Sequence, residues 1–441
     1  MDHRLSRRTI LLGGTALAAA SAIGSAAAAR TAQAQQQMAR RPNILVIFGD
    51  MFGPTFVSPC SPGVLGEKTP NIGRIAREGL MLTDCYAEQS WAAGQSSFST
   101  GQVTLRTGLC KAGDPALQDP AIADLLKPLG YATGRFGKSQ QEDGKAFVPG
   151  LPGFGEFYDN FNRRNAEPAA ALDFMDRQVR ANKPFFCWFN SARSSTTAGM
   201  AWHDAHVGLL LKTLDDLGIE NDTIVVYTAS TGQLAGRWPY AASPPFRSEK
   251  QLNRDAASRV PCMIRWPGRI AAGRISNEIV SGLDWLPTLL AAAGEPEIKQ
   301  KLLEGHRAAG KTFKVHLDGY NQLPFLLGQQ ERSARSLFFY FSHDGDLTGM
   351  RFENWAIDFN EQRTTGTIKF HLPRLFDLRA NTQSNSDYDW FISQPSLSSA
   401  AYMEACKFLA TFKDFPPRRR AAGFSIDPII EDVRYALTIG A

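Results

Sequence analysis

Few side chains in this sequence combine the right type with the right place to do chemistry. The stretch from Tyr86 to Thr107, YAEQSWAAGQSSFSTGQVTLRT, carries Ser90, Ser96 and Ser97. A serine hydroxyl is a weak nucleophile unless a base or a metal activates it, and no such neighbour is visible along the chain. Asp50 closes an apolar run that begins at Asn43. A carboxylate at the carboxyl end of a parallel strand faces the crevice in which α/β proteins bind ligands. Taken alone, Asp50 reads equally as a strand-end cap and as a ligand. His203 and His206 fall in a helical stretch with no second catalytic signal, and read as helix-packing or surface histidines. The six cysteines (Cys60, Cys85, Cys110, Cys187, Cys262, Cys406) show no CxxC spacing, so a zinc site is not expected. Cys187 and Cys262 lie inside apolar, strand-like runs and read as buried thiols.

The elements that must position these groups alternate between strand and helix. Asn43 to Phe48, Tyr131 to Phe136, Lys183 to Asn190 and Thr223 to Thr228 are short, β-branched or aromatic runs that predict buried strands. Thr69 to Gly79 predicts a helix with Ile72, Ile75 and Ala76 on one face, Thr69 as its cap and Pro70 in its first turn. Gln118 to Gly130 predicts an amphipathic helix, and Trp202 to Leu217 another, striped by Val207, Leu210, Leu211, Leu214 and Leu217. A turn at Pro267-Gly268 precedes a helix start capped by Asp284. From about Ser333 the texture changes to short aromatic strands, Leu337 to Phe341, Asn354 to Phe359 and Arg374 to Leu378, then a helix from about Ser399 to Phe412. The basic run Arg418 to Arg420 reads as a solvated tail.

Several of these words resemble the sulfatases, a branch of the alkaline phosphatase superfamily, and the closest likeness is to bacterial arylsulfatase-like proteins. The resemblance rests on Phe98, Thr100-Gly101 and Arg106-Thr107-Gly108, on Thr69 to Gly79, on Gly137-Lys138, on Phe246 to Lys250 and on Asp284 to Leu290. It covers nearly everything from about Arg41 onward. It implies a large mixed, mostly parallel sheet flanked by helices, with a smaller C-terminal antiparallel-sheet subdomain. In that family a Cys oxidised to formylglycine attacks sulfur; here that position reads Trp91, which excludes the modification there, and the following arginine position reads Gln95. The family's calcium ion is gripped by four oxygen-bearing positions. Here those are Asp50, Met51, Ser230 and Thr231, and a thioether with two hydroxyls is a poor match for a cation that takes 6–8 oxygens. The two histidine positions read Gln140 and Ser195. Lys138 and Lys250 fall where the resemblance implies sulfate-binding lysines, point charges set against an oxyanion.

The N-terminal segment, residues 1–37, is excluded from fold reasoning as a twin-arginine export signal: Ser6-Arg7-Arg8-Thr9-Ile10-Leu11-Leu12 leads into a weakly apolar Ala/Gly run and a small-x-small site at Ala32-Gln33-Ala34. Periplasmic or secreted location follows as an expectation. The first 34 residues carry a net +3, which leaves +2 of the chain's +5 after processing. No nucleic-acid partner follows from that balance, and no membrane span is expected after signal removal, because the run is only weakly apolar and a small-residue site follows it. With 441 residues the chain can hold a large domain at 41–332 and a smaller α+β subdomain at 333–441.

Two functions fit. The losses coincide with nucleophile, metal and proton shuttle, so the favoured reading is an exported pseudosulfatase with no calcium, binding an anionic or sulfated ligand through Lys138 and Lys250. The alternative is an active sulfate- or phosphate-ester hydrolase whose replacement nucleophile is Ser90, Ser96 or Ser97.

Overall fold

The computed structural model describes residues 41–49, 54, 57–60, 68–109, 118–137, 153–158, 167–190, 197–232, 255–342, 346–363, 366–379 and 395–418. In chain order the first half gives β1 Asn43–Gly49, α1 Pro70–Arg77, β2 Leu80–Tyr86, α2 Trp91–Thr100, α3 Thr104–Thr107, α4 Ile122–Leu126, β3 Ala132–Gly137, β4 Glu156–Tyr158, α5 Glu167–Arg180 and β5 Phe185–Asn190. Then come α6 Thr197–Asp216, β6 Thr223–Ala229, α7 Asp255–Ser258, β7 Arg259–Arg265, β8 Arg274–Ser276, β9 Val280–Ser281, α8 Trp285–Ala292 and α9 Ile298–Glu304. A ribbon of β10 His306–Ala308 and β11 Lys311–Phe313 is followed by α10 Leu323–Leu326. The chain continues into β12 Leu337–Phe341, β13 Leu347–Phe352, β14 Trp355–Arg363, β15 Gly366–Asp377 and α11 Pro395–Asp414.

The main sheet runs β4-β3-β5-β1-β6-β7-β2-β8, with β9 beside β2. Pairing is parallel from β4 across to β6 and between β2 and β8 or β9. Only β7 runs against its two neighbours. The sheet is therefore mixed and mostly parallel, as the sequence predicts. Side chains alternate across a strand, so β1 feeds two cores. Ile44, Val46 and Phe48 join α2, α4 and α8 through Phe98, Ile122 and Leu289. Leu45 and Ile47 join α1, α5 and α6 through Ile75, Phe174 and Leu211. Burial on both faces explains why the strands read as unbroken apolar runs.

Three local expectations need correction. Thr69 does not cap α1: its hydroxyl is engaged with Ser58. The α1 N-terminus is held instead by Asp204 of α6, whose carboxylate accepts from Asn71 N at 3.1 Å and Ile72 N at 2.9 Å. Asp284 likewise makes no side-chain cap to α8. It accepts from Ser281 N at 3.0 Å, Tyr320 N at 2.8 Å and Gln322 Nε2 at 3.1 Å, and pairs with the Arg335 guanidinium at 2.7 Å. The predicted 118–130 helix shrinks to α4 plus a 3-10 turn over Lys127–Leu129, and every α4 residue is buried, so no polar face exists there.

β12 to β15 form an antiparallel sheet in sequence order. Phe339, Phe341, Met350 and Ile357 cluster with Ala405, Leu409 and Phe412 of α11, and with Val103, Leu105 and Leu283 of the larger layer. A buried polar junction joins the two sheets. Asp84, in β2, is fully buried and accepts from Arg259 of β7, from Arg351 Nη2 of β13 at 2.7 Å and from Arg379 Nη2 at 2.9 Å. Tyr86 receives both Arg259 and Arg351 over its ring, at 5.6 and 5.3 Å. The described residues from Asn43 onward form one compact unit. Among described residues no helix is long and apolar enough to cross a membrane.

Candidate functional site

The carboxyl ends of four adjacent parallel strands line up. The register sets Gly137 beside Asn190, Asn190 beside Phe48, and Gly49 beside Ala229. This edge is the crevice where an open α/β sheet receives ligands. Asp50 and Lys138 directly follow two of those residues in sequence. They lie outside the described residues, as do Met51, Gln140, Ser195 and Lys250. The described part of the site is therefore Trp91, Gln95, Ser230 and Thr231, with what surrounds them.

α2 brings the nucleophile position to that edge. Ser90 caps it, accepting from Ala93 N at 3.1 Å, and Gly101 ends it in the left-handed conformation at φ 64°. All ten of its residues are buried. Two of its hydroxyls bond locally, Ser97 Oγ donating to Gly94 O at 3.1 Å and Thr100 Oγ1 to Ser96 O at 2.8 Å, whereas Ser99 Oγ has no partner among the described residues. Phe98 anchors the helix on the sheet, edge-on to Phe48 at 4.9 Å and to Trp188 at 5.2 Å.

The first turn of α2 lies directly on the end of β6. A Cβ added at Gly94 would stand 1.5 Å from Ser230 O, so only glycine permits this approach. A Gly94→Ala variant is expected to lose roughly 3 kcal/mol of stability, since the obstruction is backbone and cannot rotate away. Denaturant midpoints check this; an unchanged midpoint would mean that helix and strand can separate at no cost.

Trp91, 7% exposed, opens the helix. Gln95, one turn on, is fully buried and its Oε1 accepts from Arg135 Nη2 at 2.9 Å. Its Nε2 has no partner among the described residues. Arg135 sits on β3, 5.8 Å from the Trp188 ring centroid and 5.9 Å from that of Phe157. Sequence reasoning passed over this arginine. The available signal was a guanidinium inside a strand whose neighbours are apolar, because Arg is almost never fully buried unless paired. A guanidinium from β3 thus reaches position 95 of α2.

Ser230 and Thr231 are buried at the end of β6, and Ser230 Oγ has no hydrogen-bond partner among the described residues. They offer neutral hydroxyls where a calcium ion needs charged or carbonyl oxygens, so this part of the donor set does not fit the ion. Among described residues no three His, Cys, Asp or Glu side chains converge on a metal-sized space. Ser96 and Ser97 are buried within α2, and Ser90 is committed to its cap. His203 and His206 are both buried, not surface residues. His203 lies 5.7 Å from the Tyr227 ring, and burial first, then His206, pushes its pKa down to about 3. His206 packs on Trp202 at 4.1 Å. Cys187 and Cys262 are buried free thiols, as expected.

A family model for sulfatases matches residues 42–189 and 153–295, more than half of the chain. The chain belongs to the sulfatase family. Arylsulfatase A of Homo sapiens is 28% identical over 388 residues, covering 71% of this chain and 73% of that protein. Among solved structures, the PsFucS1 sulfatase from Pseudoalteromonas sp. superposes with a TM-score of 0.70 at 19% identity, covering 90% of this chain and 95% of that one. A second, in complex with its substrate D-Glucosamine-2-N, 6-O-disulfate, has a TM-score of 0.64 at 16% identity and covers 86% and 99%. The large mixed sheet and small antiparallel sheet are thus the architecture of solved sulfatases, as the sequence resemblance implies.

Proposed function

We propose that this sulfatase-family chain is a non-catalytic, exported binding protein that takes a sulfated or otherwise anionic ligand at the strand-end crevice through Lys138 and Lys250. The observation that carries the reading is Trp91: an indole occupies the helix-opening position at which the family resemblance implies an oxidised cysteine, and the indole nitrogen's lone pair is tied up in the aromatic ring and cannot attack sulfur. Gln95 and Ser230-Thr231 fit the same reading, because the first replaces a charge and the second pair offers a calcium ion only hydroxyls. The ligand class is supported by the two lysines and by the sulfated sugar named as the substrate of a structural neighbour. Periplasmic location is part of the proposal, resting on the twin-arginine pattern at Arg7-Arg8.

The test is hydrolysis of 4-nitrophenyl sulfate and 4-nitrophenyl phosphate by the purified protein, with calcium and with chelator, beside a Lys138→Ala control. No turnover above the control is expected, and a Trp91→Cys variant is expected to stay inactive because Gln95, Gln140 and Ser195 still lack the family's groups. Calcium-dependent turnover that Lys138→Ala abolishes would overturn the proposal. Titration with glucosamine 6-sulfate is expected to show binding that weakens about tenfold in Lys138→Ala or Lys250→Ala, the loss of one charged contact of about 1.4 kcal/mol.

A further inference from the structure

A second cavity lies at the opposite end of α2 from Trp91, a helix of ten residues and so about 15 Å long. Its volume is about 220 Å³. It opens where the small sheet and α11 meet the larger layer, just past Gly101, whose carbonyl accepts from Asp318 N at 2.8 Å and Gly319 N at 3.0 Å. Leu283, Leu337 and Phe408 supply apolar walls, Tyr320 an aromatic one, and Lys299 and Lys407 reach it from α9 and α11.

Among the described residues, the Arg, Lys and Asp/Glu side chains lining the cavity form ion pairs, Lys299 excepted. Arg106 neutralises Asp318 at 2.9 Å, and Arg335 neutralises Asp284 at 2.7 Å. Lys407 and Glu404 bridge each other at 2.6 Å. Lys299 has no ion-pair partner among the described residues. Its ammonium donates to Gly319 O at 3.0 Å and stands 4.6 Å from the Tyr320 ring centroid. An ammonium carries three donors, and one carbonyl uses one of them. Burial pushes the Lys299 pKa down, with Arg335 and Arg106 adding to it and Asp318 and Asp284 opposing.

We infer that this cavity is a binding site for a small organic monoanion with a single flat apolar ring, its anionic group on Lys299 and its ring between Leu283, Leu337 and Phe408. The volume holds one ring and one charged group, which excludes oligosaccharides. The site is independent of the strand-end crevice and of whether that crevice is catalytic.

The experiment is a fluorine NMR titration of the purified protein with 4-fluorobenzoate, and in parallel with the uncharged 4-fluorobenzamide. Saturable line broadening is expected with the benzoate, at least tenfold weaker with the amide. Lys299→Met, which keeps the side chain's apolar length, is expected to weaken benzoate binding at least tenfold, while Lys299→Arg retains it within a few-fold. Thermal unfolding of each variant separates loss of the site from loss of the fold. Lys138→Ala, which alters the crevice, is expected to bind benzoate as the native chain does. The inference is overturned if the native chain does not bind benzoate, if the amide binds equally, if the folded Lys299→Met binds unchanged, or if Lys138→Ala removes binding.

Discussion

An Asp84→Asn variant is expected to lose about 3–5 kcal/mol of stability, the usual cost of removing one partner from a buried ion pair. The carboxylate faces three guanidiniums, and two of them, on Arg259 and Arg351, are as buried as it is. An amide of the same shape keeps the packing and deletes the charge that makes two buried cations tolerable, so the loss is electrostatic rather than steric. Because Arg259 belongs to the large sheet and Arg351 to the small one, the small sheet should loosen first. Denaturant unfolding read by near-ultraviolet dichroism, with hydrogen exchange over β12 to β15, measures both effects. A loss below 1 kcal/mol would mean that water reaches the guanidiniums and the junction is not dry.

Glu88 should give the chain an unusual dependence on alkali. The side chain is buried, its Oε1 has no partner among the described residues, and its pKa is pushed up to about 8, first by burial and then by Asp318, with Arg335 opposing. Between an ordinary carboxyl pKa near 4.3 and the folded value, the native state holds a proton that the unfolded chain has released. Stability is therefore fully present below about pH 4.3 and declines as pH rises to about 8, by about 1.4 kcal/mol per unit at most. Glu88→Gln removes the ionisation, so the variant should be more stable than the native chain at pH 9, by at most about 5 kcal/mol, and indistinguishable from it at pH 4. Equal slopes from pH 5 to 8 in the two proteins would contradict this.

What the sequence revealed and what it hid divide along one line. Strands buried on both faces are contiguous apolar words, so β1, β3, β5 and β6 were found within a residue or two. The reading of positions 91, 95, 230 and 231 as family site positions rests on the sequence resemblance, because each sits inside a familiar word. Arg135 was missed because nothing local ties it to Gln95, 40 residues away. The cap of α1 was misassigned for the same reason: Asp204 is 133 residues from Asn71, while Thr69 stands next to the helix and engages Ser58 instead. The three arginines on Asp84 come from 175, 267 and 295 residues downstream, and the cavity at Lys299 is assembled from α9, α11 and the small sheet. Periodicity reports which face of an element is buried; it carries no record of which distant charge will meet it. His203 and His206 show the limit from the other side, since α6 is packed more fully than an apolar stripe alone suggests.

The place of β1 has a consequence for the order in which the chain can acquire structure. β1 is flanked by β5 and β6, the nearer of which begins at Phe185. Until more than a hundred further residues have left the ribosome, Ile44 to Phe48 has no native strand partner, and both its backbone edges stay open to other chains. Contacts this remote close late and slowly. The nascent protein should therefore depend on a holding factor until β5 and β6 have been made, and C-terminal truncations ending before Thr223 should be recovered as aggregates or bound to a chaperone.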